Sequence, residues 1–318
     1  MGKSIEVNEY RTRWSEGICF DPRKDIATNF LDELEVYSKL PRYKVEQLFY
    51  HGIKEFAKEW EEKCQNHSAD EATFYNESLT QIFFVMYHNA MRIENNSPLL
   101  YVYASDWVKR LKLTTYLDYG TGTGSGAMFF ARQGIKTTAA DISSQMLDFT
   151  KWRFEKRGLS ATYLDLKQNT LPKKAFDLIT CFHVLQIVED PVALMRQMRD
   201  ALTEKGILVV NGALRKDPEY PMQPDHGGQR TTRKFRSVGL QILWDQTREM
   251  RQLSNTNPQM YQRVERSSLV NTAYLMYDTT IVSPSLRRLV YLANRPLRKF
   301  FEKGSGAIER KKRNYIYR

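Results

Sequence analysis

Residues 116–130 read YLDYGTGTGSGAMFF. An apolar run leads to an acidic residue, Asp118, then to glycines at positions 120, 122, 124 and 126, and then to small and apolar residues that open a helix. This is the pattern of a buried strand, a tight turn and a helix start. Glycine adopts positive φ and lets another group approach the backbone closely. The free N–H groups at the start of the following helix favour an anionic group. The stretch therefore predicts a nucleotide-type site at the end of a strand. Dinucleotide enzymes seat a pyrophosphate on such a loop, with glycines spaced G-x-G-x-x-G, and the glycines alone are compatible with that. Asp118 shifts the balance: a carboxylate two residues before the first glycine would repel a pyrophosphate, and it suits a ligand with a cationic amino acid end.

On the C-terminal side, short apolar runs alternate with helical segments. KTTAAD (136–141), ATYLDL (161–166), FDLITCFHVL (176–185) and ILVVNGAL (207–214) read as further strands after TTYLDY (114–119). Between them, 143–158 reads as a helix capped by Ser143 and ended by Gly158, and 190–206 as a helix with Asp190 as cap, Pro191 in its first turn and Gly206 as its stop. Such β–α alternation predicts a parallel sheet with helices on both faces. GLQILWD (239–245) and AYLMYDTTIV (273–282) are candidates for two closing strands, with a polar insertion between them. On the N-terminal side, 43–60, 77–93 and 97–112 carry apolar residues at helical spacing, so a helical region precedes the sheet.

The bulk properties restrict the class. The chain has 318 residues, 42% hydrophobic and 27% charged, which is globular composition. The sequence holds no apolar run long enough to span a bilayer, and the opening MGKSIEVNEYRTRW lacks the apolar core of a secretory leader. Cys19, Cys64 and Cys181 are scattered and lack metal-ligand spacing, so no metal is expected and a reducing, cytoplasmic setting is. The net charge of +11 is uneven: residues 286–318 hold eleven Lys or Arg against two Glu. A nearly neutral body with a basic tail is not the signature of a nucleic-acid binder.

At this point the chain resembles the class I S-adenosylmethionine-dependent methyltransferases. Their first motif reads acidic-x-Gly-x-Gly-x-Gly, and DYGTGTG (118–124) matches it in full. ADIS (140–143), LDL (164–166), FDLITCFHVLQIVEDP (176–191) and LTEKGILVV (202–210) are similar to the family's later strand ends, so the resemblance runs over roughly 113–214. It implies a Rossmann-like, doubly wound, mostly parallel seven-stranded α/β sheet. The implied organisation is a helical cap (1–112), a methyltransferase domain (113–285) and a tail (286–318). The implied cofactor is S-adenosyl-L-methionine. Asp118 would lie near the methionine amino group through water, and Gly120, Thr121 and Gly122 would shape the backbone against the methionine moiety. Asp141 would accept from both ribose hydroxyls, with the plain alternative that it only starts a helix. Ile142 would pack on the adenine. Asp165 would accept from the adenine amino group, or act only as a turn residue, and the Leu166 backbone N–H would donate nearby. Phe182 and His183 would face the sulfonium.

Methyl transfer needs a base only where the nucleophile is still protonated. His183 is the first candidate, at the meeting of cofactor and acceptor, and the alternative is a lining histidine. His226, in PDHGG with Asp225 to orient it, is the second, and the alternative is a solvent-exposed loop residue. The run HVLQIV has Gln186 and Ile187 where many small-molecule members carry Glu-His, and the Asn/Asp-Pro-Pro-Tyr signature of amino-methylating relatives is absent. YRTRW (10–14) is a candidate lid over the cofactor, or plain packing.

The expected acceptor is an O, N or S nucleophile of a small or lipid-like metabolite. The alternatives are an RNA or protein methyltransferase recruited by the tail, a non-catalytic binding protein of the same fold, and a nicotinamide-dependent oxidoreductase. Long N-terminal helices suit a homodimer. Residues 284–303 form a basic amphipathic pattern interrupted by Pro296. It suits packing on the body or a partner subunit, or contact with an anionic membrane surface.

Overall fold

The computed structural model describes residues 7–65, 74, 78–91, 97–212, 214, 224–265 and 270–272. Among the described residues, five α-helices come first: α1 (Val7–Ile18), α2 (Ile26–Ser38), α3 (Arg42–Trp60), α4 (Leu79–Met91) and α5 (Leu99–Leu111). The sheet region follows as β1 (Thr115–Tyr119), α6 (Ser125–Ala131), β2 (Lys136–Asp141), α7 (Ser144–Lys156), β3 (Thr162–Asp165), β4 (Phe176–Cys181), α8 (Pro191–Ala201) and β5 (Leu202–Val210). It closes with α9 (Gln229–Lys234), β6 (Leu240–Ile242), α10 (Trp244–Leu253) and β7 (Gln259–Arg263). The seven strands lie in the order β3-β2-β1-β4-β5-β7-β6. The first five are parallel, and β7 runs antiparallel to β5 and β6.

Strand alternation divides the core. Tyr116, Leu178, Ile207 and Val209 point to one face, where they join Phe30, Phe49, Phe83, Leu100 and Trp107 of the N-terminal helices in a single buried cluster. Their neighbours Leu117, Ile179, Leu208 and Val210 point to the other face and pack on Leu194, Met195 and Met198 of α8. Side chains of opposite parity face opposite layers because the pleat has period two. The helical region is thus one of the two layers that bury the sheet. The expected caps are in place: Ser143 accepts from the Met146 N–H (3.3 Å), and Asp190 accepts from the N–H groups of Val192 and Ala193 (both 2.9 Å).

Three elements differ from the sequence expectation. Strand β4 stops at Cys181, because His183 takes a left-handed φ of 59° that no strand can continue. Helix α8 ends at Ala201 rather than running to Gly206, because Leu202 turns extended and already pairs with Phe176. The pairing then shifts, with Leu178 opposite Ile207, and TEKG is absorbed as an irregularity within β5. The seventh strand is Gln259–Arg263, inside the stretch read as a polar insertion. Its polar side chains hid it: Gln259 and Arg263 are both buried, and the Arg263 guanidinium donates to the Leu202 carbonyl at 2.6 Å. AYLMYDTTIV (273–282) and the basic tail lie outside the described residues.

Candidate active site

The strand order reverses between β1 and β4, since the chain winds outward from β1 to β3 and returns beside β1 at β4. Loops leaving the two strands on either side of such a reversal go to opposite faces and leave a crevice at the carboxyl edge. The glycine loop leaves β1 here, and Phe182 and His183 leave β4. The fold therefore gathers two separate sequence segments at one place.

The loop is held from several sides. Gly120 and Thr121 donate backbone N–H groups to the Ala140 carbonyl (2.8 and 2.9 Å). Thr150 donates to the Gly122 carbonyl (2.9 Å), and Asn89 of α4 donates to Thr123 Oγ1 (3.1 Å). Arg153, fully buried, donates to the Thr123 carbonyl (2.6 Å) and Ser125 Oγ (2.9 Å), while Glu33 of α2 faces its guanidinium at 2.9 Å. The same Glu33 pairs with Arg157, whose guanidinium is held down to about 10 by burial and still carries its charge at neutral pH.

Asp118 sits beneath the loop rather than in the crevice mouth. It is 1% exposed, and its carboxylate accepts from Thr180 (2.9 Å), Thr121 (3.0 Å) and Tyr101 (3.3 Å) hydroxyls. Burial pushes its carboxyl upward, and the hydroxyl donors only partly oppose that. Tyr101 comes from α5, so the cap itself completes this carboxylate's shell. A Cβ on Gly126 would meet the Tyr101 ring at 2.3 Å and Asp118 Oδ2 at 2.8 Å. That glycine serves the close approach of α5. Gly120 turns the chain at φ 70°, and Val184 packs on it so closely that a Cβ there would lie 2.2 Å from Val184 Cγ2.

Asp141 differs from Asp118. Its Oδ2 accepts the Gly122 N–H (2.8 Å) and its Oδ1 accepts the Ser143 N–H (2.9 Å). The backbone N–H groups of Gly122, Ser143 and Ile142 all act on this carboxylate, which leaves acceptor capacity for a further donor. Burial pushes this carboxyl upward as well. Beside it Ile142 is half exposed, at 50%, an apolar surface at the edge of the crevice. Asp165 accepts the Lys167 N–H (2.9 Å) in a turn, and the Leu166 N–H donates to the Asp141 carbonyl (2.9 Å). That N–H is spent within the sheet rather than presented to a ligand.

On the other side, Phe182 is buried against Tyr101, ring centroids 4.6 Å apart. His183 Nε2 lies 3.0 Å from Ser97 Oγ and 3.3 Å from Asn211 Nδ2. The contacts of His226 run elsewhere: its N–H donates to the Leu214 carbonyl (3.1 Å), and the Thr231 hydroxyl donates to the His226 carbonyl. Asp225 accepts from the Gly227 N–H (2.8 Å), in a turn rather than against the imidazole. YRTRW is packing: Tyr10 and Arg13 both bind Asp106, and Trp14 stacks on Tyr101 at 5.5 Å. Cys181 is fully buried on β4, and burial pushes its thiol upward.

Sequence reasoning missed Ser97, Asn211, Arg153 and Asn89 as site residues. A polar residue directly after the apolar run ILVV was the one available signal for Asn211. The others are contributed by helices, or by the turn that enters one, whose packing no local pattern reports.

Residues 117–208 match the family of methyltransferase domains. The match covers less than a third of the chain and runs from β1 to β5, the part of the sheet that holds the glycine loop and the strand reversal. Among curated proteins, it is 30% identical over 99 residues to the ubiquinone biosynthesis O-methyltransferase of Histophilus somni, covering 29% of this chain and 42% of that one. The protein of the same name from Coxiella burnetii is 32% identical over 88 residues, covering 27% and 38%. The chain thus spans less than half the length of these relatives. Among solved structures, a putative sarcosine dimethylglycine methyltransferase from Galdieria sulphuraria aligns over 55% of this chain and 91% of its own, at 11% identity and a TM-score of 0.42.

The residues present fit S-adenosyl-L-methionine. A buried carboxylate with spare acceptor capacity (Asp141), an exposed aliphatic side chain next to it (Ile142) and a glycine turn at the switch point match a ribose diol, a flat base and an amino acid moiety in turn. Among the described residues, no group of three or more His, Cys, Asp or Glu is placed to hold a metal ion. No helix of the described residues is long and apolar enough to cross a membrane.

Proposed function

We propose that this protein transfers a methyl group from S-adenosyl-L-methionine to an oxygen nucleophile of a small or lipid-like acceptor. The observation that carries the reading is Asp141. Its carboxylate is aligned by the Gly122 and Ser143 N–H groups, and it stands at the end of β2 beside the glycine loop with acceptor capacity left for a ligand. The cofactor supplies the leaving group, an electrophilic methyl on a sulfonium, so the chain has only to bind, align and deprotonate. In this reading Asp141 holds the ribose and Ile142 covers the adenine. The carboxylate of Asp118 keeps the loop seated through Thr121, Thr180 and Tyr101. His183 takes the proton of an acceptor hydroxyl at Nε2, and an acceptor reaches that nitrogen by displacing the Ser97 Oγ and Asn211 Nδ2 donors that face it. Oxygen is favoured because the relatives matched over this domain are named as O-methyltransferases.

Calorimetry with S-adenosylmethionine and S-adenosylhomocysteine, on the wild type and on Asp141→Ala, tests this. The expected result is binding by the wild type and a loss of about tenfold or more on substitution, on the order of 1.4 kcal/mol. Binding of NAD or NADP in place of these ligands would overturn the assignment.

A further inference from the structure

Asn211 stands at the end of β5, 2% exposed, and its contacts go to the one strained residue of the crevice. His183 has φ 59°, where a side chain other than glycine is disfavoured. The Asn211 backbone N–H donates to the Cys181 carbonyl at 3.3 Å, continuing the β4–β5 pairing past the last strand residue. Its side-chain Oδ1 accepts the His183 backbone N–H at 2.8 Å. Its Nδ2 faces His183 Nε2 at 3.3 Å and Thr256 Oγ1 at 3.0 Å.

These contacts settle two orientations, that of the Asn211 amide and that of the His183 tautomer. A backbone N–H only donates, so the amide atom facing it is the oxygen. The atom facing the imidazole is then the NH₂ group, which also only donates. Nε2 must therefore be the accepting nitrogen, and the proton of the neutral ring lies on Nδ1. The Ser97 hydroxyl, at 3.0 Å, approaches the same Nε2 and is able to donate to it.

We propose that Asn211 is a positioning residue that pins His183 in its left-handed conformation and keeps Nε2 as the unprotonated, accepting nitrogen of the ring. A base must present a lone pair to the hydroxyl it deprotonates, and Asn211 selects the tautomer that does so. The catalytic consequence rests on the methyltransferase reading above. The tautomer does not.

The test is two-dimensional ¹H–¹⁵N correlation of ring nitrogens in protein labelled at histidine. The chain has five histidines, so the signal lost in His183→Gln makes the assignment. The wild type is expected to show an unprotonated Nε2 and a protonated Nδ1 for His183. Asn211→Asp keeps the shape and the acceptor for the His183 N–H but replaces the donor by a carboxylate. It is expected to abolish the unprotonated Nε2 signal. A purely structural role for Asn211 would change melting temperature and leave the tautomer as it was. A wild-type Nε2–H, or an Asn211→Asp ring with the wild-type tautomer, overturns the proposal. The wild-type spectrum decides the first point even where the variant does not fold. S-adenosylhomocysteine is titrated into the same wild-type sample. A wild type with the expected tautomer but no response to this ligand would sink the methyltransferase reading while leaving the Asn211 assignment standing.

Discussion

The glycine-loop half of the crevice and the β4–β5 corner are built differently. The loop is keyed to the cap by buried charge: Glu33 of α2 between Arg153 and Arg157, Tyr101 of α5 on Asp118, and Asn89 of α4 on Thr123. The corner meets the cap through the hydroxyl contact of Ser97 to His183 and the packing of Phe182 on Tyr101, and Asn211 holds His183 from within the sheet. A site that must hold one invariant cofactor gains from many rigid anchors, since binding geometry tolerates little error. A side that must admit and release an acceptor gains from a light tie to its cover. On the proposed function, the helical region serves as foundation on one side and as door on the other.

The comparison can be broken by stability measurements, and the largest effect is expected at Glu33. Glu33→Ala strands two buried guanidinium groups, and the loss is expected to be about 3–5 kcal/mol, read as the fall in urea-unfolding free energy. A loss below about 1 kcal/mol, the level of an exposed pair, would show that the cap is not keyed to the loop by charge.

An effect of intermediate size is expected at Asp118. Because burial raises its folded pKa above the ordinary carboxyl value of 3.8, the native state holds this proton more tightly than the unfolded chain does. The wild type therefore loses stability from this group as pH rises from the ordinary carboxyl range through the folded pKa. Asp118→Asn keeps an acceptor for Thr180 and Tyr101 and carries no charge to bury. Its melting temperature is expected to exceed the wild-type value at pH 7, and the gap is expected to close as pH falls toward 4. A variant that melts lower at every pH would mean that the hydroxyl bonds to the carboxylate outweigh its desolvation.

The smallest effect is expected at the door. Ser97→Ala removes one hydrogen bond to a ring that Asn211 still holds, so the cost in unfolding free energy should stay below about 1 kcal/mol. A cost rivalling that of Glu33→Ala would put the two halves on the same footing and remove the distinction.

Legibility followed the same division. DYGTGTG, ADIS and the β–α alternation are local signals: glycine spacing, a carboxylate at a strand end and the change of hydrophobic period are all read within a few residues. They were enough for the parallel sheet, the loop and the placement of Asp118 and Asp141. They were not enough to show that Asp118 lies under the loop, because its enclosure depends on Tyr101 and Thr180, 17 and 62 residues away in sequence. The seventh strand was missed for a related reason. QMYQR carries polar residues whose burial is made tolerable only by partners on other elements, such as the Leu202 carbonyl for Arg263.

By itself, then, the sequence determined the class of fold and the edge of the sheet where ligands are met, since both follow from short-range pattern and from the chirality of β–α–β connections. Only the tertiary structure decided which of two similar carboxylates keeps acceptor capacity, which nitrogen of His183 carries its proton, and that a glutamate in the second helix steadies a loop ninety residues away. Those outcomes depend on burial and on the directions of individual donors and acceptors. Both are properties of groups brought together from distant parts of the chain.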